Sequence, residues 1–160
     1  MKYIMTLVSL FAVDNAVKDY IEAYGELGIQ KSVFGGRLCI KKHHNTGAML
    51  HLGSKNGAVV AAISLIFSVF VTGIFAATLT TKGNMLLKSG LALLLGGAYS
   101  NTYDRLSRQY VVDYVSFRLP RTDGKEINKL KKALETVVFN LSDFGIIIGA
   151  MLIVISQMGK

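Results

Sequence analysis

One stretch of the chain, residues 58–80, carries no charged side chain and constrains the fold more than any other. It reads AVVAAISLIFSVFVTGIFAATLT and slightly exceeds the roughly 20 apolar residues that an α-helix needs to cross a bilayer. The whole chain is 51% hydrophobic with a mean hydropathy of +0.42, which is high for a soluble domain. The sequence therefore predicts a transmembrane helix here and a membrane protein overall.

Three further apolar stretches have the length of membrane spans. They lie at about 3–24, 85–102 and 137–158. Because the chain has 160 residues, we expect a single domain over residues 1–160. The predicted fold is an all-α membrane protein with four transmembrane helices. Its long loops, 25–57 and 103–136, then lie on the side opposite both termini.

Small residues in two of these spans favour close packing of helices. Gly96, Gly97 and Ala98 are consecutive in the third span, and Gly145 and Gly149 stand four residues apart in the fourth. Side chains of this size let helix backbones approach one another. We expect both spans to contact neighbouring helices along these faces.

The two long loops carry local structure of their own. Val33-Phe34, Gly35-Gly36 and residues 37–42 predict a strand, a turn and a second strand, and so a small β-sheet. Residues 123–136 place apolar side chains three to four residues apart, opposite lysines. This spacing predicts a short amphipathic helix that lies on lipid headgroups.

The composition of the chain limits the kinds of metal, cofactor and nucleic-acid sites that can be expected. Cys39 is the single cysteine, so neither an intrachain disulfide nor a cysteine metal cluster is expected. His43 and His44 are adjacent and point to opposite faces of a strand, so no metal site is predicted there. No cofactor is predicted either. The net charge of +8 comes without an RNA-binding motif, which favours contact with membrane lipids over nucleic acid.

Polar side chains inside or beside the spans form the main functional signal. Under the predicted topology the following converge on one side of the membrane: Asp14, Lys18, Asn45, Asn101, Arg105, Asp113, Asn140 and Asp143. Asn101, Asp104 and Arg105 share a helix face, as do Asn140 and Asp143. Ionisable residues within spans are costly and usually face the interior of the bundle.

Two buried carboxylates suit one kind of chemistry. Close carboxylates cannot easily both ionise, so Asp113 and Asp143 could share one proton. The ionised member takes a proton from water, and the protonated member donates to a carbonyl oxygen. That is peptide hydrolysis without a metal. The pattern alone leaves open a small proton-coupled transporter with Asp143 and Asp14 as its relay, although the sequence has no inverted repeat.

Five motifs in order resemble those of prolipoprotein signal peptidase, the signal peptidase II family of membrane aspartic peptidases. They are AVDNAVK at 12–18, HNTGA at 44–48, GGAYSNTYDR at 96–105, VVDYVSF at 111–117 and FNLSD at 139–143. The resemblance covers nearly the whole chain. It implies removal of the signal peptide from bacterial prolipoproteins that carry diacylglycerol, by a cut just before the lipidated cysteine.

The resemblance also implies roles for individual residues. Asp113 and Asp143 match the catalytic pair. Residues that match substrate-binding positions are Asn45, Asn101, Arg105 and Asn140. Asp14, Lys18 and Asp104 match structural support near the site. Residues 25–57 would form an extracytoplasmic sheet that cradles the substrate, and the protein is expected to be a monomer.

Three positions depart from the family pattern. Asn15 stands in place of the usual glutamine, Ser100 in place of glycine and Ser142 in place of alanine. We expect the Ser142 hydroxyl to add a hydrogen bond near the catalytic pair. An inactive relative that binds lipoproteins as a scaffold also stays open, although both aspartates are present.

The resemblance implies a bacterial inner-membrane protein with cytoplasmic termini and an active site near the outer leaflet. The distribution of cations favours the opposite orientation. Lys2, Lys82, Lys88 and Lys160 lie on the predicted inner side, whereas the other 14 of the 18 Lys and Arg residues lie outside. We follow the motifs, since the outer cations can rest on anionic headgroups.

Overall fold

The computed structural model describes residues 1–47, 57–118, 131–132 and 135–158. Within these ranges the chain forms four α-helices and three strands. The helices are α1 (Lys2–Tyr24), α2 (Gly57–Thr80), α3 (Met85–Ser107) and α4 (Leu141–Met158). The strands are β1 (Gln30–Val33), β2 (Leu38–Asn45) and β3 (Val111–Phe117). The protein is therefore mostly helical, with one small sheet.

Helix α3 lies at the centre and packs against the other three helices. Glycines make this packing close. A Cβ atom on Gly90 would lie 2.7 Å from the carbonyl oxygen of Gly149, and one on Gly96 would lie 2.8 Å from that of Leu7. A Cβ on Gly97 would overlap the carbonyl oxygen of Ser142. The predicted packing faces of the third and fourth spans are confirmed.

The apolar core lies between α2 and α3, where Val71, Phe75, Leu91 and Leu95 are buried. The outer faces of α2 and α4 instead expose large apolar side chains such as Phe70 and Val154. Large apolar faces are normally buried away from water, because that burial is the main driving force for folding. These exposed faces therefore suit contact with lipid better than contact with water.

Two of the described helices, α2 and α4, are long and apolar enough to cross a membrane. Helices α1 and α3 carry ionisable residues within their length, among them Asp14, Lys18, Lys88 and Asp104. These charges lower their hydropathy, so length and composition do not confirm the predicted count of four spans.

The three strands form one antiparallel sheet in the order β1-β2-β3. A 3₁₀ turn over Phe34–Gly36 joins the first two strands, and Gly35 and Gly36 have positive φ there. The predicted strand, turn and strand are confirmed, with β2 running three residues further than predicted, to Asn45. That extension pairs His43 with Asp113 and Asn45 with Val111.

Strand β3 lies within the long loop predicted at 103–136, and the sequence analysis did not predict it. Its sequence VVDYVSF is rich in β-branched and aromatic residues, and that signal was available. The last helix also begins at Leu141 rather than at residue 137, because Phe139 pairs with Val115 through backbone hydrogen bonds of 2.7 and 2.8 Å. The predicted interfacial helix at 123–136 falls mostly outside the described residues.

Candidate active site

Asp113 lies in the middle of β3, where its side chain is almost fully buried. Two asparagines from other elements donate to its carboxylate. The Asn45 amide at the end of β2 donates to Oδ2 at 3.0 Å, and the Asn140 amide donates to Oδ1 at 2.8 Å. Asn45 is itself held by the backbone N–H of Gly47, which donates to its Oδ1 at 3.1 Å. Each carboxylate oxygen of Asp113 therefore has an amide donor.

Asp143 lies in the first turn of α4 and forms a reciprocal cap with Asn140. The Asp143 N–H donates to Asn140 Oδ1 at 2.9 Å, and the Asn140 N–H donates to Asp143 Oδ2 at 3.1 Å. This is the geometry of a capping box, in which two orphan N–H groups of the helix start are satisfied at once. The other oxygen, Oδ1, accepts from the Asn101 amide at 3.0 Å.

Asn140 connects the two carboxylates. Its side-chain amide donates to Asp113, while its backbone N–H donates to Asp143. Its Oδ1 must accept the N–H of the helix start, so Nδ2 is the only side-chain atom left to face Asp113. The end of β3 and the start of α4 are thus joined through one residue, which fixes both carboxylates relative to each other.

A fully buried group of charges lies beside this pair. The Lys18 ammonium is 2.8 Å from Asp14 Oδ2 and 3.1 Å from Asp104 Oδ2, and all three side chains are 0% exposed. The backbone N–H of Val112 also donates to Asp104 at 3.2 Å. Buried charges are tolerated when they are paired and hydrogen-bonded. All three of these are paired, although within the described residues Asp104 Oδ1 has no hydrogen bond and lies 3.6 Å from the Arg108 guanidinium.

Lys18 also fixes the orientation of Asn101. Its ammonium donates to Asn101 Oδ1 at 2.9 Å. Lysine has donors only, so the amide must turn its oxygen to Lys18 and its NH₂ to Asp143. The buried charges therefore connect to the Asp143 carboxylate through one oriented amide.

The Asp14 carboxylate accepts hydrogen bonds from four residues in addition to Lys18. They are Ser100 at 2.6 Å, Tyr114 at 2.9 Å, the backbone N–H of Leu141 at 3.1 Å, and the hydroxyl of Ser142. Burial and the Asp14 charge raise the pKa of the Tyr114 hydroxyl, which keeps it a donor. Sequence reasoning missed Tyr114. It also expected Ser142 near the catalytic pair, whereas the hydroxyl donates to Asp14.

Arg105 lies one turn beyond Asn101 on α3. Its guanidinium donates to the carbonyl oxygens of Asn101 at 3.2 Å and Gly47 at 3.3 Å. Within the described part of the chain, its buried Nε has no hydrogen-bond partner. Arg105 therefore ties α3 to the end of β2 and keeps one donor unused.

A cavity of about 240 Å³ opens beside these residues. Its polar side is formed by Asn45, Asn101, Arg105, Asp113 and Asp143. Its apolar side comes from α2, α4 and the segment before α4, and includes Phe67, Val138, Phe139, Ile146 and Ile147. The cavity thus places two carboxylates beside an apolar wall, which suits an extended or lipid-bearing ligand.

The electrostatics of Asp113 follow from this burial. Burial raises the pKa of Asp113 to about 7, and the charge of Asp143 contributes in the same direction. The amides of Asn45 and Asn140 partly oppose this shift, since they stabilise the ionised form. Near neutral pH, Asp113 therefore holds a proton for part of the time.

His44 and Cys39 make their contacts outside this site. His44 pairs with Glu22 at 3.0 Å and stacks on Tyr110 with ring centroids 3.9 Å apart. Cys39 is buried, 3.8 Å from the Ser32 hydroxyl. The described residues contain no group of three His, Cys, Asp or Glu side chains placed to hold a metal ion.

All nine residues singled out from the sequence belong to one connected set. Hydrogen bonds and ion pairs link Asn45, Asp113, Asn140, Asp143, Asn101, Arg105, Lys18, Asp14 and Asp104. From the first to the last, they span more than 120 residues of the chain. The fold is therefore what brings them together.

Comparison with known proteins gives matches along the whole length. The sequence profile of the signal peptidase (SPase) II family matches residues 6–158. A lipoprotein signal peptidase of Mesorhizobium japonicum is 28% identical over 157 residues, which cover 98% of this chain and 84% of that protein. One of Coxiella burnetii is 31% identical over 120 residues, which cover 72% of this chain and 65% of that protein.

Two solved structures share the fold. Both are described as bacterial membrane enzymes determined by the in meso method, at 2.3 and 1.9 Å resolution, and each is 22% identical in sequence. The first has a TM-score of 0.77 and covers 99% of this chain and 88% of its own. The second has a TM-score of 0.74 and covers 98% and 92%.

Proposed function

The chain belongs to the signal peptidase II family, and from this premise we propose that it is an aspartic endopeptidase that removes the signal peptide from bacterial prolipoproteins. Asp113 and Asp143 are the proposed catalytic pair. The observation that carries the proposal is the link through Asn140, which donates to both carboxylates at the edge of one cavity. The relatives named above support a protease of this substrate class.

The two carboxylates differ in their surroundings, and this difference suggests a role for each. Asp143 is the proposed base, because it lies in the first turn of α4, where the helix dipole favours an ionised carboxylate. Asp113, with its pKa raised to about 7, is the proposed acid. Pairs of carboxylates whose environments differ commonly divide the work of acid and base in this way.

The proposed reaction proceeds in two steps. The Asp143 carboxylate takes a proton from water as the water oxygen bonds to the scissile carbonyl carbon, and Asp113 gives its proton to the carbonyl oxygen. The tetrahedral intermediate then collapses as the C–N bond breaks. Asp143 returns its proton to the leaving amine, and Asp113 recovers a proton from the hydroxyl that becomes the new carbonyl.

Asn45, Asn101, Arg105 and Asn140 are the proposed substrate-binding residues. The unused Nε of Arg105 is a donor for a peptide carbonyl in the cavity. The apolar wall, which includes Phe67 and Ile147, suits the acyl chains of a diacylglyceryl group. We propose that the substrate carries this group on a cysteine and that the cut falls just before it. Asp14, Lys18 and Asp104 are proposed as structural support.

We further propose that residues 1–160 form one membrane domain with four spans, in which α1 and α3 cross together with α2 and α4. Their buried charges face the bundle rather than lipid, which lowers the cost of insertion. The proposed location is the inner membrane of a bacterium, with cytoplasmic termini, the site near the outer leaflet and a monomeric chain. The transporter alternative is not favoured, because the matched relatives are peptidases.

The test is cleavage by the purified protein in detergent or liposomes. Two precursors with the same sequence are compared, one carrying diacylglycerol on its cysteine and one unmodified. The proposal expects cleavage of the modified precursor, with mass spectrometry placing the new amino terminus at the lipidated cysteine. Failure to cleave either precursor contradicts the proposed function, and equal cleavage of both contradicts the proposed role of the lipid.

A further inference from the structure

Two serine hydroxyls, on different helices, donate to the same oxygen of Asp14. Ser100 on α3 and Ser142 on α4 both contact Asp14 Oδ2. We propose that Ser100 and Ser142 are a pair of positioning residues that set the Asp143 carboxylate through Asp14, Lys18 and Asn101. This inference rests on the proposed function and adds two residues that touch neither the cavity nor the carboxylate pair.

The close crossing of α3 and α4 brings these hydroxyls together. Gly97 lies so near the backbone of Ser142 that a Cβ atom there would overlap its carbonyl oxygen. Ser100 follows Gly97 by about one turn and faces the same side. Both serines are 0% exposed. Their hydroxyls therefore have no access to water and depend on partners inside the bundle.

The hydrogen bonds of Ser100 are fully used. Its hydroxyl donates to Asp14 at 2.6 Å and accepts from Lys18 at 3.0 Å and from the Asn15 amide at 3.2 Å. A serine hydroxyl has one donor and two acceptor sites, so each of them is occupied. Ser100 thus contacts both members of the Asp14–Lys18 ion pair.

Lys18 has more acceptors than donors. Four acceptors lie within 3.1 Å of its ammonium: Asp14 Oδ2 at 2.8 Å, Asn101 Oδ1 at 2.9 Å, Ser100 Oγ at 3.0 Å and Asp104 Oδ2 at 3.1 Å. An ammonium has only three N–H groups, so these acceptors compete. Donors from the two serines partly satisfy Asp14 Oδ2, and this leaves Lys18 free to keep an N–H on Asn101.

Loss of the Ser142 hydroxyl shifts this balance most directly, because it removes a donor from Asp14 and no acceptor from Lys18, whereas loss of the Ser100 hydroxyl removes one of each. With fewer donors, the Asp14 carboxylate attracts the Lys18 ammonium more strongly, and the bond from Lys18 to Asn101 weakens. The Asn101 amide, whose oxygen also accepts from the Asn140 amide at 3.2 Å, is then held less firmly with its NH₂ toward Asp143. Because neither serine lines the cavity, and Asn101 does, we expect the rate of the chemical step to change more than substrate binding.

The test measures kcat and KM on a diacylglyceryl-modified precursor for Ser100→Ala, Ser142→Ala and the control Ser156→Ala. Ser156 lies near the end of α4 and donates to a carbonyl of its own helix at 2.6 Å. We expect kcat to fall about tenfold for Ser142→Ala, which loses a hydrogen bond to a charged group, and by less for Ser100→Ala, which also frees an N–H of Lys18. KM should change by less than kcat, and Ser156→Ala should match the wild type.

A double-mutant cycle with Asn101→Ala, followed by single-turnover cleavage, separates positioning from general destabilisation. If the serines act through Asn101, their removal changes the rate by less than about twofold in the Asn101→Ala background. Should Ser100→Ala not fold at the assay temperature, Ser142→Ala carries the test. Wild-type rates in both serine variants overturn the inference. So does a loss of rate that is as large in the Asn101→Ala background as in the wild type. Either result leaves the peptidase function intact. A wild-type protein that does not cleave overturns both.

Discussion

The backbone N–H of Asn140 donates to the Asp143 carboxylate at 3.1 Å, and the Asp143 N–H donates back to the Asn140 side chain at 2.9 Å. This reciprocal cap makes a proposed catalytic group part of the start of a helix. The carboxylate that stabilises α4 is therefore also one of the two that face the cavity. Stability and chemistry at this site share the same two residues.

Asn140 offers a way to separate these two roles. Serine is a good N-cap residue but has no amide for Asp113, whereas alanine provides neither. We expect Asn140→Ser to keep most of the thermal stability and Asn140→Ala to lose about 1 kcal/mol more. Both should lose at least tenfold in cleavage rate. Thermal unfolding and cleavage assays of both variants check this, and an active Asn140→Ser variant would show that the amide is dispensable.

Lys18 should dominate the stability of the buried charge group. Lys18→Met leaves Asp14 buried without its cation and Asp104 with only the Arg108 guanidinium at 3.6 Å, and removal of one partner of such a group typically costs about 3–5 kcal/mol. The double variant Lys18→Met/Asp14→Asn removes one of the stranded charges, so it should regain part of that loss. Denaturation in detergent of the two variants measures the difference. A single variant as stable as the wild type contradicts this account of the group.

The raised pKa of Asp113 predicts a pH dependence with a definite sign. Burial raises this pKa from its usual 3.8 to about 7, so the native state binds the proton more tightly than the unfolded state. Stability therefore falls as pH rises through this window, and Asp113→Asn removes the penalty. The thermal midpoint of Asp113→Asn relative to wild type should be higher at about pH 9 than at about pH 5. If the difference in thermal midpoint between Asp113→Asn and wild type becomes smaller as the pH rises, Asp113 is not a buried, protonated carboxyl.

Cleavage should follow the same titration. If Asp113 is the acid, activity falls as the pH rises through about 7, because the carboxyl loses the proton that it donates. A pH–rate profile of kcat/KM on the modified precursor measures this limb for the free enzyme. An activity that keeps rising well above that pH assigns the acid to another group.

The crossing of α3 and α4 predicts different effects for two glycines. A Cβ on Gly97 would overlap the Ser142 carbonyl oxygen, so Gly97→Ala should destabilise the protein by about 1–3 kcal/mol. Gly73 in α2 has no atom within 4 Å of such a Cβ, so Gly73→Ala should be neutral or slightly stabilising. Thermal unfolding of the two variants makes the comparison. Similar midpoints would mean that the helices do not cross this closely.

The sequence was most informative where polar residues interrupt apolar stretches. Asp14, Lys18, Asn101 and Asp143 stand out there because burial of such groups is costly and so indicates a site. Strand β3 was less predictable. Its central Asp113 indicated a catalytic residue, and no strand was predicted around it, although VVDYVSF has the composition of a strand.

The partners of the buried hydroxyls could not be predicted at all. Which oxygen Ser142 contacts depends on the crossing of α3 and α4 to within an ångström or so, and no local pattern encodes that distance. The start of α4 is a similar case, since the pairing of Phe139 with Val115 decides it. Long-range contacts of this kind override local preference.

The most direct test of the proposed function is cleavage by Asp113→Asn and Asp143→Asn, with Asp19→Asn as the matched control. Asp19 is an exposed aspartate on α1 that pairs with Arg108, outside the proposed site. The account predicts that both site variants remain folded by thermal unfolding and lose at least about a thousandfold in cleavage of the diacylglyceryl-modified precursor, while Asp19→Asn keeps wild-type activity. Cleavage at the wild-type rate by either Asp113→Asn or Asp143→Asn would contradict it.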